Sequence, residues 1–269
     1  MRLLLMRWWP NLFFMLTNSF RLLMASLRSR SVPSSALSYQ LGPSARPIII
    51  GSTAEKSPLP SPKTTSASYV LAAHSAVLAV ASLVMCAGAL REAFARSALE
   101  GSWSWFFCEN RRAAPKLYFW AYAYYLSKYY ELLDTFLPVL VHGRVPRHFG
   151  MHVFHHACVL FMSWGYLEFR QTLAFGGLIA NTAVHVLMYV YYARAALKLE
   201  TSWKAWVTRV QIIQFVSSFL LCVVFASGAH GEPSTCSGLG ALAGNAAFNA
   251  VLLYLFFGVL ASSKKKKAG

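Results

Sequence analysis

The chain has 269 residues and a formal net charge of +16, yet only 13% of its residues are charged while 57% are hydrophobic. A soluble domain carries about 25% charged residues, so this composition excludes an ordinary water-soluble fold. No nucleic-acid-binding module is present, and the positive charge lies between apolar stretches and at the two ends, where it suits anionic lipid or a polyanionic substrate such as CoA.

Residues 1–68 read as a poorly ordered N-terminal extension, rich in Ser, Pro and Arg, with Glu55 as the first acidic residue. Within it Leu3–Met24 is apolar but interrupted by Arg7, Pro10, Asn11, Asn18 and Arg21. That segment is left open as an N-terminal seventh span, a signal-like or transit-like segment, or a disordered tail. Residues 28–66 read as a flexible linker. Six clearer spans follow near 69–90, 117–140, 151–168, 172–193, 206–228 and 239–261, each long enough to cross a hydrocarbon core of about 30 Å. The expected fold is an all-α polytopic membrane bundle, with a transmembrane domain over 69–261 and a Lys-rich tail over 262–269. The loop at 169–171 is so short that the third and fourth spans are expected as antiparallel neighbours.

The chain ends in Lys264, Lys265, Lys266 and Lys267, and the positive-inside rule assigns this tail to the cytoplasm. Alternation then puts 142–150, with Arg144 and Arg147, and 194–205, with Arg194, Lys198 and Lys204, on the same side. The stretches 91–116 and 229–238 fall in the lumen, although the five basic residues of 91–116 count against that assignment.

Polar residues inside membrane spans are costly, and here they fall into four sets at helical spacing. Lys128, Glu131 and Thr135 form one stripe, with Asp134 beside it. His152, His155 and His156 project from one face as HxxHH. Asn181, His185, Met188 and Tyr192 form a third stripe, with Tyr189 adjoining, and Thr208, Gln211, Gln214 and Phe215 a fourth. A lone histidine in such a helix is usually structural. Four imidazoles striped with Lys, Glu, Asp, Asn and two Gln can satisfy one another only around a common interior, which makes a polar chamber the functional candidate.

Two chemistries suit that chamber. A histidine-box metalloenzyme of the hydroxylase or desaturase type needs about eight clustered histidines. This chain has eight in all, and His74 and His230 are expected far from the cluster, while His142 and His148 lie in a loop. The clustered four are too few for a di-iron site, but a mononuclear metal site on His152, His155, His156 and His185 stays open. The other reading is acid–base and nucleophilic work by imidazole, which titrates near neutrality and attacks thioesters. Cys158 falls to one side of the histidine stripe and reads as a packing residue. A retinal-type receptor is disfavoured because 239–261 contains no lysine, and an ion pathway would leave the four boxes unexplained.

These boxes carry a resemblance. Lys128–Thr135 (KYYELLDT), His152–His156 (HVFHH), Asn181–Tyr192 (NTAVHVLMYVYY) and Thr208–Phe215 (TRVQIIQF) resemble, in order and separation, the motifs of the ELO family of very-long-chain fatty-acid elongases. The resemblance covers about residues 69–269. It implies a seven-helix enzyme of the endoplasmic-reticulum membrane that condenses malonyl-CoA with acyl-CoA to 3-oxoacyl-CoA, CO2 and CoA, without a metal or redox cofactor. It further implies His155 as the nucleophile, His185 as its partner in decarboxylation or enolate stabilisation, and His152 and His156 as tuning groups. Lys128, Glu131, Asp134, Asn181, Tyr189, Tyr192, Gln211 and Gln214 would line the chamber, and Arg144, Arg147, Lys198, Lys204 and Arg209 would meet CoA phosphates. Membrane anchoring is the plainer reading of any one of those basic residues. By the same resemblance Cys108 and Cys236 pair as a lumenal disulfide, Lys266 and Lys267 form a dilysine retrieval signal, and the enzymes completing the elongation cycle are expected partners. The chain departs from the family in having only one clear span before the lysine box.

Overall fold

The computed structural model describes residues 66–108, 115–142, 149–229 and 232–268, which belong to one compact unit, Pro62–Gly269. The candidate span at 3–24, most of the linker, the loop carrying Arg144, Arg147 and His148, and His230 lie outside the described residues. The described elements are all helical: α1 (Ser66–Glu100), α2 (Ser104–Phe107), α3 (Pro115–Glu131), α4 (Leu133–His142), α5 (Phe149–Glu168), α6 (Ala174–Ala196), α7 (Lys204–Ala226), a 3₁₀ turn (Pro233–Thr235) and α8 (Leu239–Ala268).

Among the described residues four helical stretches are long and apolar enough to cross a membrane: α1, α6, α7 and Leu239–Gly258 of α8. The expectation of six meets two physical obstacles. The second span breaks at Leu132 into helices of 17 and 10 residues. The third, α5, is 20 residues long, but three imidazoles near its start dilute its apolarity. The first span also differs from expectation. With no Pro and a single Gly to interrupt its run of Ala, Leu and Val, α1 continues through Arg91 and Arg96 to Glu100. Of the loop expected at 91–116, the described part, residues 91–108, is therefore largely helix.

Along α1 the buried positions Ser68, Ala72, Ser75, Ala79, Ser82, Cys86, Ala89 and Ala93 recur at alternating spacings of four and three. Such a stripe of small residues lets helix backbones approach closely in an apolar medium, and α1 packs most extensively along α6. Gly88 serves the contact with α3, because a Cβ there would run into the Trp120 indole.

Packing runs in a closed circuit. Helix α1 contacts α3, α3 contacts α5, α5 contacts α8, α8 contacts α7, α7 contacts α6, and α6 returns to α1. This corrects the expectation that the third and fourth spans are neighbours: α5 and α6 stand on opposite sides of the ring. The short connection between them crosses one end of the bundle instead of closing a hairpin. Arg170 (φ 47°) and Leu173 (φ 62°) adopt left-handed backbone there, a conformation that side-chain-bearing residues adopt only under tertiary constraint. The constraint is visible. Thr172 donates its N–H to Ser237 O at 2.9 Å and its hydroxyl to Phe107 O at 2.7 Å. Gly238 (φ 71°) lies so close that a Cβ would stand 2.7 Å from Gln171 Cα. The two segments gripping the turn are themselves joined by the disulfide Cys108–Cys236. Behind the turn a cluster including Ala89, Trp105, Leu117, Ala121, Tyr166, Phe175 and Leu178 fills that end of the ring.

Candidate active site

The inner wall of the ring collects the polar stripes. Helix α3 delivers Lys128 and Glu131, 2% and 1% exposed, with Lys128 Nζ donating to Glu131 Oε1 at 2.7 Å. A charge pair this deep survives only if its remaining hydrogen-bonding groups also find partners. Lys128 Nζ reaches Asn181 Oδ1 of α6 at 3.3 Å, and the Tyr124 hydroxyl donates to the same oxygen at 2.8 Å. Ser127 Oγ donates to Glu131 Oε1 at 3.3 Å, and His185 Nδ1 stands 3.7 Å from that oxygen.

The break at Leu132 shapes the next part of the site. Leu132 N bonds Tyr129 O and Thr135 N bonds Leu132 O, a tight 3₁₀-like step between α3 and α4. Pro138, inside α4, has no N–H and leaves the Asp134 carbonyl without its helical donor. The backbone of Asp134 lies beside the His152 imidazole. The Asp134 carboxylate spans the ring: Oδ2 accepts the Tyr189 hydroxyl at 2.6 Å, and Oδ1 bonds His74 Nε2 of α1 at 2.8 Å. The expectation that His74 stands far from the cluster is thus corrected. Since α1 neighbours both α3 and α6, one turn of its inner face meets Asp134.

The histidine box holds together as read. His152 and His156 rings lie 4.4 Å apart, His155 and His156 5.4 Å, and the His155 ring stacks on Phe248 of α8 at 6.2 Å. Across the ring the His185 ring meets Tyr189 edge-on at 5.3 Å. His152 Nε2, His155 Nδ1 and His185 Nδ1 are buried and have no hydrogen-bond partner. His152 Nε2 and His155 Nδ1 are thereby available to a substrate, while His185 Nδ1 faces Glu131 Oε1 at 3.7 Å.

Three cavities follow one another along the bundle and share walls. The widest, about 490 Å³, is lined by His74, Asp134, His152, Tyr192 and Lys198. A central cavity of about 160 Å³ is lined by His152, His155, His156, Asn181, His185, Tyr189, Gln211 and Gln214. A deeper one continues past His155, Asn181 and Gln214 toward Tyr166 and the pinned turn. The structure therefore brings His152, His155, His156, His185, Asp134, Asn181, Tyr189, Tyr192, Gln211 and Gln214 to one chamber, with Lys128 and Glu131 bonded behind it. Gln211 Nε2 additionally contacts Met188 Sδ at 3.5 Å. Lys204 and Arg209 are exposed on α7 and line none of these cavities. Cys158 is free and half-buried, outside the cavity walls. Among the described residues no three His, Cys, Asp or Glu side chains are grouped as a metal ion requires.

Sequence reasoning missed His74, Tyr124 and Phe248. A histidine within the otherwise apolar 69–90 was itself a signal, whereas aromatic residues of membrane helices carry none.

The sequence matches the family described as ELO: GNS1/SUR4 over residues 45–268. It is 35% identical over 176 residues to a candidate fatty acid elongase of Dictyostelium discoideum, covering 65% of this chain and 58% of that one. It is 36% identical over 149 residues to a candidate fatty acid elongase of Schizosaccharomyces pombe, covering 55% and 43%. Fatty acid elongase sre1 of Dictyostelium discoideum matches at 32% over 147 residues, 54% and 53% of the two chains. The chain spans about half the length of the relatives it matches.

Proposed function

Because this chain belongs to the ELO family of GNS1/SUR4 proteins, we propose that it condenses malonyl-CoA with a long-chain acyl-CoA, as a very-long-chain 3-oxoacyl-CoA synthase of fatty-acid elongation. The observation that carries this reading is that His155 and His185 line one chamber from helices on opposite sides of the ring, with His155 Nδ1 buried and without a hydrogen-bond partner. In the proposed reaction a His155 nitrogen attacks the thioester carbonyl of acyl-CoA. The C–S bond breaks, and CoA leaves with the imidazole proton. Malonyl-CoA then loses CO2, and the electron pair remains as an enolate, toward which His185 and the amides of Gln211, Gln214 and Asn181 supply hydrogen bonds. The enolate carbon attacks the acyl-imidazole, the C–N bond breaks, the imidazole takes up a proton, and 3-oxoacyl-CoA is released. His152 and His156 orient these rings. The chemistry is balanced without a resident metal or redox cofactor.

The wide cavity, with Lys198 on its wall, is the proposed entry for CoA, and the deeper one the acyl tunnel. We propose six spans in the endoplasmic-reticulum membrane, with residues 3–24 as a candidate seventh. The C-terminus, Arg144, Arg147, Lys204 and Arg209 would face the cytoplasm and the disulfide the lumen. Lys266 and Lys267 would act in retrieval, and the reductases and dehydratase of the cycle would be partners.

The test is a condensation assay on purified, chelator-treated protein with radiolabelled malonyl-CoA and a panel of acyl-CoAs, wild type beside His155→Ala. Product from wild type, lost by 10³-fold or more on the order of other nucleophile deletions in the mutant, is the expected result. No product from any acyl-CoA, together with stoichiometric metal in untreated protein, would overturn it.

A further inference from the structure

An imidazole that does chemistry is usually held by a carboxylate or a backbone carbonyl on Nδ1, a bond that sets both its rotation and its tautomer. His155 has none: its Nδ1 is buried without a partner. Other histidines of the chamber are better anchored. His74 bonds Asp134 at 2.8 Å, and His185 Nδ1 faces Glu131 at 3.7 Å. The torsion that turns a histidine ring about its Cβ–Cγ bond is intrinsically broad. A ring not anchored through Nδ1 therefore turns unless its surroundings grip it.

Two ring contacts grip it. His156, on the same helix, meets the His155 ring edge-on at 5.4 Å. Phe248 reaches over from α8 and lies nearly parallel to it, with 25° between the planes and 6.2 Å between centroids, the offset-stacked arrangement that aromatic rings favour. Phe248 is itself fixed. It rests on Phe154 at 6.0 Å, and the next residue, Asn249, donates Nδ2 to Ser218 Oγ of α7 at 3.4 Å, which ties α8 to its other neighbour. His155 lines both the central and the deep cavity, whereas Phe248 lines only the deep one. Stacking engages the face of an imidazole, and the nitrogens lie on its edge. The contact therefore steadies the ring without taking the place of a substrate.

Resting on the elongase reading, we infer that Phe248 is a positioning residue for acyl transfer. Its ring holds the His155 imidazole at the rotation from which a nitrogen reaches the thioester carbonyl. The step it serves is the one in which the N–C bond forms, the C–S bond breaks and CoA leaves with the imidazole proton. Stacking from α8 does here what a hydrogen bond on Nδ1 does elsewhere. A reacting atom misplaced by about 1 Å costs on the order of a hundredfold in rate, and a ring free to turn is misplaced in most of its orientations.

The test compares full-length wild type, Phe248→Leu and Phe248→Tyr in detergent. Leucine keeps most of the apolar bulk and removes the ring, whereas tyrosine keeps the ring. Single-turnover transfer of a radiolabelled acyl group from acyl-CoA to the protein, without malonyl-CoA, gives the rate of acylation. The KM for acyl-CoA and the melting temperature are measured alongside. In protein isotopically labelled at histidine Cε1, the magnetic resonance signal of His155, assigned by its loss in His155→Ala, reports the ring current of Phe248 directly. The expected result is acylation about ten- to hundredfold slower in Phe248→Leu, with KM within about twofold of wild type and the His155 signal displaced. Phe248→Tyr should restore both rate and signal. Acylation by Phe248→Leu at the wild-type rate would overturn the positioning role and leave the elongase reading standing. Equal losses in both variants with a lowered melting temperature would overturn it too, marking the ring as packing. A His155 signal displaced in Phe248→Leu alone, with no acylation by wild type, would support the held ring and overturn the elongase reading.

Discussion

Asp134 divides its carboxylate between His74 on α1 and Tyr189 on α6, so one side chain ties three helices around the chamber mouth. His74→Ala would leave Oδ1 unpaired in a buried site, at a cost of about 1–3 kcal/mol. A lower melting temperature and a ten- to hundredfold loss in kcat/KM are expected, on the order of that energy. His74→Gln, which can still donate to Asp134, should restore most of both, and parallel melting and condensation measurements would check the pair. The site residues named by the four boxes were legible because helical spacing turns a list of polar residues into a face, as it does for Asn181 and His185. His74 has no such companion on α1, and its meaning comes only from Asp134, sixty positions away. Asn249 escaped for a related reason: its polar partner, Ser218, is on α7, a relation that spacing along α8 cannot express.

At the scale of elements, the decisive departure from a smooth helix is the α3–α4 step. The stripe Lys128, Glu131, Thr135 assumes a continuous helix, yet the tight turn at Leu132 and the proline four residues after Asp134 leave that residue's carbonyl without a helical donor, beside His152. Pro138→Ala would offer the carbonyl a helical N–H again, beside His152. Its expected effect is a drop of about tenfold in kcat with a melting temperature equal to or above wild type, since removing a proline from a helix interior is itself favourable. A fall in melting temperature with unchanged kcat would sink this account. The crossing turn at 169–173 was likewise misjudged from sequence. A short loop suggests a hairpin, but left-handed backbone at Arg170 and Leu173, gripped by Thr172, sends α6 away from α5 instead. No local residue announces this, because the grip comes from Phe107 and Ser237.

On the scale of the whole molecule, the disulfide closes a loop of 128 residues. Constraining the unfolded chain over that length is worth about 5 kcal/mol in the chain-entropy model. Reduction, or Cys108→Ala, should lower the melting temperature while leaving the histidine chamber, at the other side of the tyrosine and tryptophan cluster, chemically intact. Mass spectrometry after alkylation of non-reduced membranes would show both thiols blocked, and labelling of either would contradict the pairing. The all-helical class was legible from composition alone. The arrangement was not, because hydropathy marks which segments are apolar and says nothing of their order around a ring.

That order has a consequence in time. Helices α1, α3 and α5 form one arc, and α6, α7 and α8 form the other in reverse. When the ribosome finishes α5, half of a barrel exists, with Lys128, Glu131 and three imidazoles on an inner wall that has no opposite side. The 101 residues after Glu168 take roughly 5–20 s to make at about 5–20 residues per second. Throughout that interval the polar groups of the proposed site lack the opposite wall of the ring. Synthesis therefore passes through a state that the finished ring never revisits, and a chain halted there is a substrate for quality control rather than a smaller enzyme.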